Sequence, residues 1–381
     1  MATRVVPRWT GRALTLAVAA TLLAGCAGDS STDDAWEQRG LPGGARPSDR
    51  LVLAVVEPDD GVGPVVDFID SATTSVALGT YEINPDYAPI VDALTRAIDR
   101  GVDVRVMVSA TEYPLTGPQG NPADVAALQQ KGIDAQLSNP AFNYYHAKFI
   151  LLDAGQPSAR AMVTDFNFDQ GYFEADPTHP DEGGTRGMAV LATDPDDVAE
   201  IASYFEADWP PFGQWPPPDR PNVIWAPSSD QFPNPGNAER VMRDLIGGAT
   251  ETLDIYEQQF PVASELLDPI LQRAKAGVKV RIIGNRVGFD PKVAEVLEPA
   301  GVEIVFGPAA ADGRELYIHT KTIVVDAGSP DQVAYIGSVN PFLAESLQTE
   351  RELGVLVTDN ASIEEVSAVF DKDFATATAN L

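Results

Sequence analysis

Cysteine is almost missing from this 381-residue chain: Cys26 is the only one, so no disulfide can form within the molecule. Basic residues are scarce as well. Twenty-six Lys and Arg face fifty-six Asp and Glu, giving a formal net charge of −30 at pH 7. Such a chain repels polyanions at long range, which argues against a broad nucleic-acid sleeve but leaves room for a small local basic site. Acidity of this kind serves solubility more often than function. The apolar run Ala13 to Leu23 is too short for a comfortable membrane span. Only three His and seven Lys occur. Apolar residues are not lacking: a hydrophobic content of 44% can fill a core, so the chain is not disordered, and its length suits two domains or one large duplicated one.

Arg4, Arg8 and Arg12 precede the apolar run, as in a targeting segment. The run ends in Leu23-Ala24-Gly25-Cys26, which resembles the lipobox of bacterial lipoproteins. That resemblance implies cleavage before Cys26 and diacylation of its thiol. Residues 1–25 are then a signal peptide, and the mature protein is extracytoplasmic and lipid-anchored to the bacterial cell membrane. An ordinary secretory signal is the plainer reading, but the position of the single cysteine at the cleavage point favours the lipobox. Losing residues 1–25 removes three Arg and no acid, so the remainder is more acidic still. Residues 26–50, rich in Ser, Asp, Gly and Pro, read as a flexible tether.

Two stretches carry the chemistry. Tyr-His-Ala-Lys-Phe-Ile-Leu-Leu-Asp at 145–153 contains His146, Lys148 and Asp153; Ile-His-Thr-Lys-Thr-Ile-Val-Val-Asp at 318–326 contains His319, Lys321 and Asp326. His and Lys two residues apart share one face of a strand, and the apolar runs that follow read as buried strand. Each motif is followed by an Asn 21 residues after its His, Asn167 in Thr164-Asp165-Phe166-Asn167 and Asn340 in Gly337-Ser338-Val339-Asn340.

The surroundings repeat too. Gly101-Val-Asp-Val-Arg105 matches Gly277-Val-Lys-Val-Arg281, and Arg186 to Asp194 matches Arg351 to Asp359. Strands alternate with helices that stop at Gly101 and Gly277, which predicts an α/β fold with a largely parallel sheet in each half. The first unit spans 51–208 and the second 222–381. Trp209 to Pro221 (WPPFGQWPPPDRP) reads as a stiff Pro-rich linker whose aromatics either pack locally or touch lipid or substrate.

With these motifs duplicated, the chain resembles the phospholipase D superfamily over most of residues 51–375. The resemblance implies two α/β/α units packed face to face around one shared active site that needs no metal or other cofactor. One His attacks phosphorus and forms a phosphohistidine; the other protonates the leaving oxygen and then activates water or an alcohol. Lys148, Lys321, Asn167 and Asn340 hold the phosphate oxygens, while Asp153 and Asp326 support the structure. Family habit makes His146 the nucleophile and His319 the acid. The chemistry agrees: ammonium and amide donors suit a phosphodiester anion, and imidazole can serve as nucleophile or as acid.

Two departures stand out. Thr164-Asp165 replaces the usual Gly-Ser, so Asp165 brings a negative charge near the phosphate unless it pairs with Lys148 or orients His146. Glu352 has Gly187 opposite it. Ser338, Glu352 and Asp165 are therefore expected to lie behind the reacting groups. Glu82 and Gln259, at equivalent strand ends, are further pocket candidates. His179 lies in a polar loop with no partner motif and is expected at the surface. The substrate expected is a phosphodiester, foremost a phospholipid, acted on by a monomer. A nuclease of the same superfamily and a degenerate phosphate-binding envelope protein are the alternatives.

Overall fold

The computed structural model describes residues 40–112, 120–174 and 182–379. The expected signal peptide, Cys26, residues 27–39 and His179 lie outside the described residues. Seven strands belong to the first half: β1 (Leu51–Glu57), β2 (Ser75–Thr80), β3 (Asp103–Val108), β4 (Asp134–Leu137), β5 (Lys148–Leu152), β6 (Arg160–Thr164) and β7 (Glu182–Ala192). Eight belong to the second: β8 (Val223–Ala226), β9 (Thr252–Glu257), β10 (Lys279–Gly284), β11 (Glu303–Phe306), β12 (Glu315–Ile318), β13 (Thr322–Val325), β14 (Val333–Gly337) and β15 (Glu352–Val357).

The duplication is visible in the topology. The first sheet runs β1-β7-β6-β5-β2-β3-β4, and the second runs β11-β10-β9-β13-β14-β15-β8, the same order read in reverse. β12 is the exception: it pairs in parallel with the long β7 of the first half and so ties the two halves together.

The sheets are mixed rather than largely parallel. Within each half only β2-β3-β4 and β9-β10-β11 pair in parallel; the other ladders are antiparallel. The reason is connection length. A helix separates β2 from β3, which permits a parallel crossover, whereas a short turn joins β5 to β6 and β13 to β14 and forces them antiparallel.

Each sheet has an outer and an inner face. Helices Gly63–Asp70 and Ala88–Asp99 cover the outer face of the first, and Ala238–Gly248, Leu267–Lys275 and Pro291–Leu297 that of the second. The inner faces share one apolar core, in which Phe149, Val163 and Val190 join Val324, Ile336 and Val355, together with helices Pro195–Asp208 and Asn360–Thr376. Gly101 and Gly277, at φ of 83° and 95°, provide the left-handed residue that turns each helix into its next strand.

Residues 40–50 depart from the expected tether. Ala45 is buried in the second unit's core, and the amide of Asn222 brackets Arg46, accepting from its N–H and donating to its carbonyl, both at 2.8 Å. The apolar contact of Ala45 and the satisfied backbone fix a segment whose composition alone reads as flexible. The linker aromatics divide. Trp215 is buried, stacked on Phe142 at 5.0 Å and donating its indole N–H to Asp208 at 2.6 Å, while Phe212 is exposed. The linker is therefore held by packing at Trp215.

Candidate active site

Each motif sits where a short loop enters an inner strand. His146 precedes β5 and His319 precedes β13, and the other half holds both loops. The backbone N–H groups of His146 and Ala147 donate to the Arg351 carbonyl at 2.8 and 2.7 Å; those of His319 and Thr320 donate to the Arg186 carbonyl at 3.3 and 3.0 Å. The two arginines are anchored across the molecule in turn. Buried Arg351 grips Asp208 at 2.8 and 3.2 Å, and buried Arg186 grips Asp373 at 2.8 and 2.9 Å. These bidentate pairs fix the carbonyls, and the carbonyls fix the histidines.

His146, His319, Asn167 and Asn340 line one cavity of about 560 Å3, together with Glu82, Gln259, Tyr81, Tyr144, Tyr172, Tyr317 and Glu350. Lys148 and Lys321 lie fully buried beside it, their ammonium groups bonded to the carbonyls of His146 at 2.6 Å and His319 at 2.5 Å. Burial pushes Lys148 down to about 7 against the pull of Glu352, and Lys321 down to about 8 against that of Asp165.

The histidines are not equivalent. Nδ1 of His146 meets both oxygens of Glu352 at 2.9 and 3.0 Å. Glu352 accepts in addition from the hydroxyls of Ser338 and Ser346, both at 2.5 Å. Burial raises the Glu352 carboxyl, but His146, Lys148 and Ser338 outweigh it and hold Glu352 below its ordinary range. Burial takes His146 down to about 4 despite Glu352. Glu350 lines the cavity, and burial and the neighbouring Glu352 push it up to about 9. One ligand atom each from His146, Glu350 and Glu352 lies within 4.8 Å of the others, so these three could gather a cation, against the opposing charge of Lys148.

Among the described residues, His319 has no such carboxylate on its ring. Lys321 Nζ stands 3.3 Å from either ring nitrogen and the Tyr172 hydroxyl 3.5 Å from Nε2. Burial, then Lys321 and Lys148, drive its pKa well below the ordinary value. The position opposite Glu352 in the duplication is Gly187, crowded by Phe166 and Asp165: a Cβ there would fall 3.0 Å from Asp165 Oδ1 and 2.8 Å from Phe166. The Asp165 carboxylate thus occupies this space, accepting from the Met188 N–H at 2.9 Å and from the Thr320 hydroxyl. Its hydrogen bonds go neither to His146 nor to Lys148, the two partners considered for it from the sequence, though the charge of Lys148 acts on it; it braces the residue next to His319. Burial raises Asp165 to about 6, with Thr320 and Lys321 opposing.

Glu82 accepts from the Asn167 amide at 2.9 Å, and Tyr172 links Asn167 to His319. Asp153 and Asp326 lie behind the strands. Both adopt positive φ, 54° and 52°, and cap the chain before β2 and β9 through the N–H groups of Thr73 to Ser75 and Thr250 to Thr252. Sequence reasoning missed Tyr172, Ser346 and Glu350, which form no repeated pattern. It matched Arg186 with Arg351 without a role, and a strictly repeated buried cation was the available signal.

The profile of the family described as "Cardiolipin synthase, PLD-like domain" matches residues 65–209 and 242–374. The virion nicking-joining enzyme of vaccinia virus (strain Western Reserve) is 29% identical over 132 residues, 32% of this chain and 29% of that protein, so the match spans less than a third of that relative. Among solved structures, the polyphosphate kinase of Porphyromonas gingivalis is similar at a TM-score of 0.59 and 15% identity, over 84% of this chain and 50% of that one. The phosphatidylserine synthase of Haemophilus influenzae Rd KW20 is similar at a TM-score of 0.59 and 11% identity, over 89% and 88%. At such identities both likenesses concern the fold.

Proposed function

The chain belongs to the family of phospholipase D-like domains of cardiolipin synthase type, and from that premise we propose that it is a metal-independent phosphodiesterase acting on phospholipids through a phosphohistidine. The observation that carries this is one cavity lined by both His and both Asn, with Lys148 and Lys321 buried beside it and, among the described residues, a carboxylate, Glu352, on the ring of His146 but not of His319. A carboxylate on Nδ1 fixes the tautomer that leaves Nε2 as the attacking lone pair and stabilises the positive charge that grows on the ring. His146 is therefore the nucleophile. Its Nε2–P bond forms as the P–O bond to the leaving alcohol breaks. His319, protonated in the presence of the anionic substrate, gives its proton to that oxygen. It then takes a proton from water, whose oxygen displaces His146 and releases the phosphomonoester. An alcohol in place of water gives transfer.

Lys148, Lys321, Asn167 and Asn340 hold the non-bridging oxygens. Phospholipid is favoured by the strongly acidic chain, by the family's description and by the lipid anchor proposed at Cys26, which would place the enzyme extracytoplasmically at its substrate. Nucleic acid is the second reading, favoured by the vaccinia relative.

The test offers mixed phospholipids with ethanol, and separately single-stranded DNA, in excess EDTA, with His319→Ala as control. Phosphatidic acid and phosphatidylethanol that vanish in the variant are expected. DNA cleavage alone transfers the mechanism to the second substrate, and turnover of neither overturns the proposal.

A further inference from the structure

A second hollow adjoins the catalytic cavity. It measures about 550 Å3, a size that holds small ligands elsewhere, and Leu343 and Glu345 stand in the walls of both. Its lining is mainly apolar: Pro261, Leu266, Phe342, Leu343, Ala344 and Leu347. The floor is firm, because Phe342 is 1% exposed and stacks on Phe260 at 4.0 Å. The cation at the rim, Arg243, is paired with Glu265 at 3.1 Å and with Glu239 at 3.8 Å, and Glu345 adds a further carboxylate. The second unit alone builds the hollow, from the loop after β9, helix Ala238–Gly248 and helix Ala344–Gln348.

We propose that this hollow is the acyl-chain subsite of the enzyme, taking one hydrocarbon tail of a lipid whose phosphodiester lies between His146 and His319. The proposal rests on the phosphodiesterase reading and says where the apolar part of the substrate goes. Continuity decides the occupant. The two hollows share Leu343 and Glu345, so a group leaving the phosphate clamp past Leu343 would reach a mainly apolar trough whose one cation, Arg243, is already paired. A nucleic-acid strand would meet that one cation, already paired with Glu265 and Glu239, beside a third carboxylate, Glu345. A hydrocarbon chain gains from every methylene it removes from water.

The experiment measures binding of n-alkyl phosphates of increasing length to the full chain by calorimetry, below their micellar concentrations. Kd falls about threefold to fourfold per added methylene while the trough fills. Ala344 is exposed at the start of its helix, so Ala344→Trp obstructs the trough without entering the core. That variant flattens the dependence to less than about 1.5-fold per methylene, whereas Ala344→Ser retains it. A Kd independent of chain length, or an equal slope in Ala344→Trp, overturns the proposal. Hydrolysis of bis(p-nitrophenyl) phosphate by the same samples reports separately on the phosphodiesterase reading. A steep slope without hydrolysis would sink that reading and leave the subsite standing.

Discussion

At the scale of single residues, the decisive feature is which histidine has a carboxylate behind it. Glu352 contacts His146 and is fixed by two serine hydroxyls, so Glu352→Gln keeps the shape and removes the charge. On the proposed mechanism, the imidazolium formed on attack then loses its counter-charge and the tautomer loses its guide. We expect kcat to drop on the order of 10^2- to 10^4-fold with little change in KM. Steady-state kinetics decide; a loss under about threefold would remove Glu352 from the mechanism. On the same proposal, the lysines set the pH dependence. Their folded-state pKa values are depressed, to about 7 for Lys148 and about 8 for Lys321, so the clamp is charged below those values and discharges as pH rises through them. The expected kcat/KM profile falls on its alkaline side across that window. Lys148→Arg keeps its charge at every accessible pH, so the alkaline limb should move up towards the value of Lys321. An unmoved limb would show that Lys148 does not govern it.

At the scale of elements, Asp153 and Asp326 act as caps on the strands opposite their own. Asp153 is buried and accepts from three successive N–H groups, and although burial raises its carboxyl, those bonds hold it below its ordinary value. Its contribution to stability is therefore present above the ordinary carboxyl range and is lost as pH falls below about 4. Asp153→Asn keeps a residue that tolerates positive φ and loses the charge. It should cost about 1–3 kcal/mol at pH 7, shrinking towards zero on acidification, in urea titrations at each pH. A cost that stays constant with pH would contradict a charge-based cap. These elements were largely readable in advance, because His146, Lys148 and their repeats carry the period of a strand and Gly101 and Gly277 punctuate the helices. The sheet directions were not, since the β5–β6 and β13–β14 hairpins lie inside segments that read simply as strand after strand. Asp165 was legible as a departure, but its bond to Thr320 depends on contact across 155 residues of sequence. Residues 40–50 read as tether because a lone Ala45 gives no periodic signal of burial.

At the scale of the molecule, the duplication is joined by exchange. Each half supplies the arginine that holds the other half's histidine loop, and each arginine is neutralised by an aspartate from the opposite half: Arg351 by Asp208 and Arg186 by Asp373. The phenol of Tyr256 also donates to Asp373, at 2.7 Å, and the indole of Trp215 to Asp208 at 2.6 Å, so neither carboxylate depends on its arginine alone. Structure and site are thereby coupled: a halved molecule loses the carbonyl that orients its own histidine. Arg351→Met leaves Asp208 buried without a cation, a change that costs about 3–5 kcal/mol in comparable pairs. It also releases the carbonyl under His146, so activity should fall alongside stability. Adding Asp208→Leu removes the stranded charge. The double variant should recover much of the stability but little of the activity, because the carbonyl is still unanchored. Urea unfolding of both variants should remain a single transition, since one core spans both sheets. Two separate transitions, or full activity in the double variant, would show that the halves fold independently and that the exchanged arginines do not position the site.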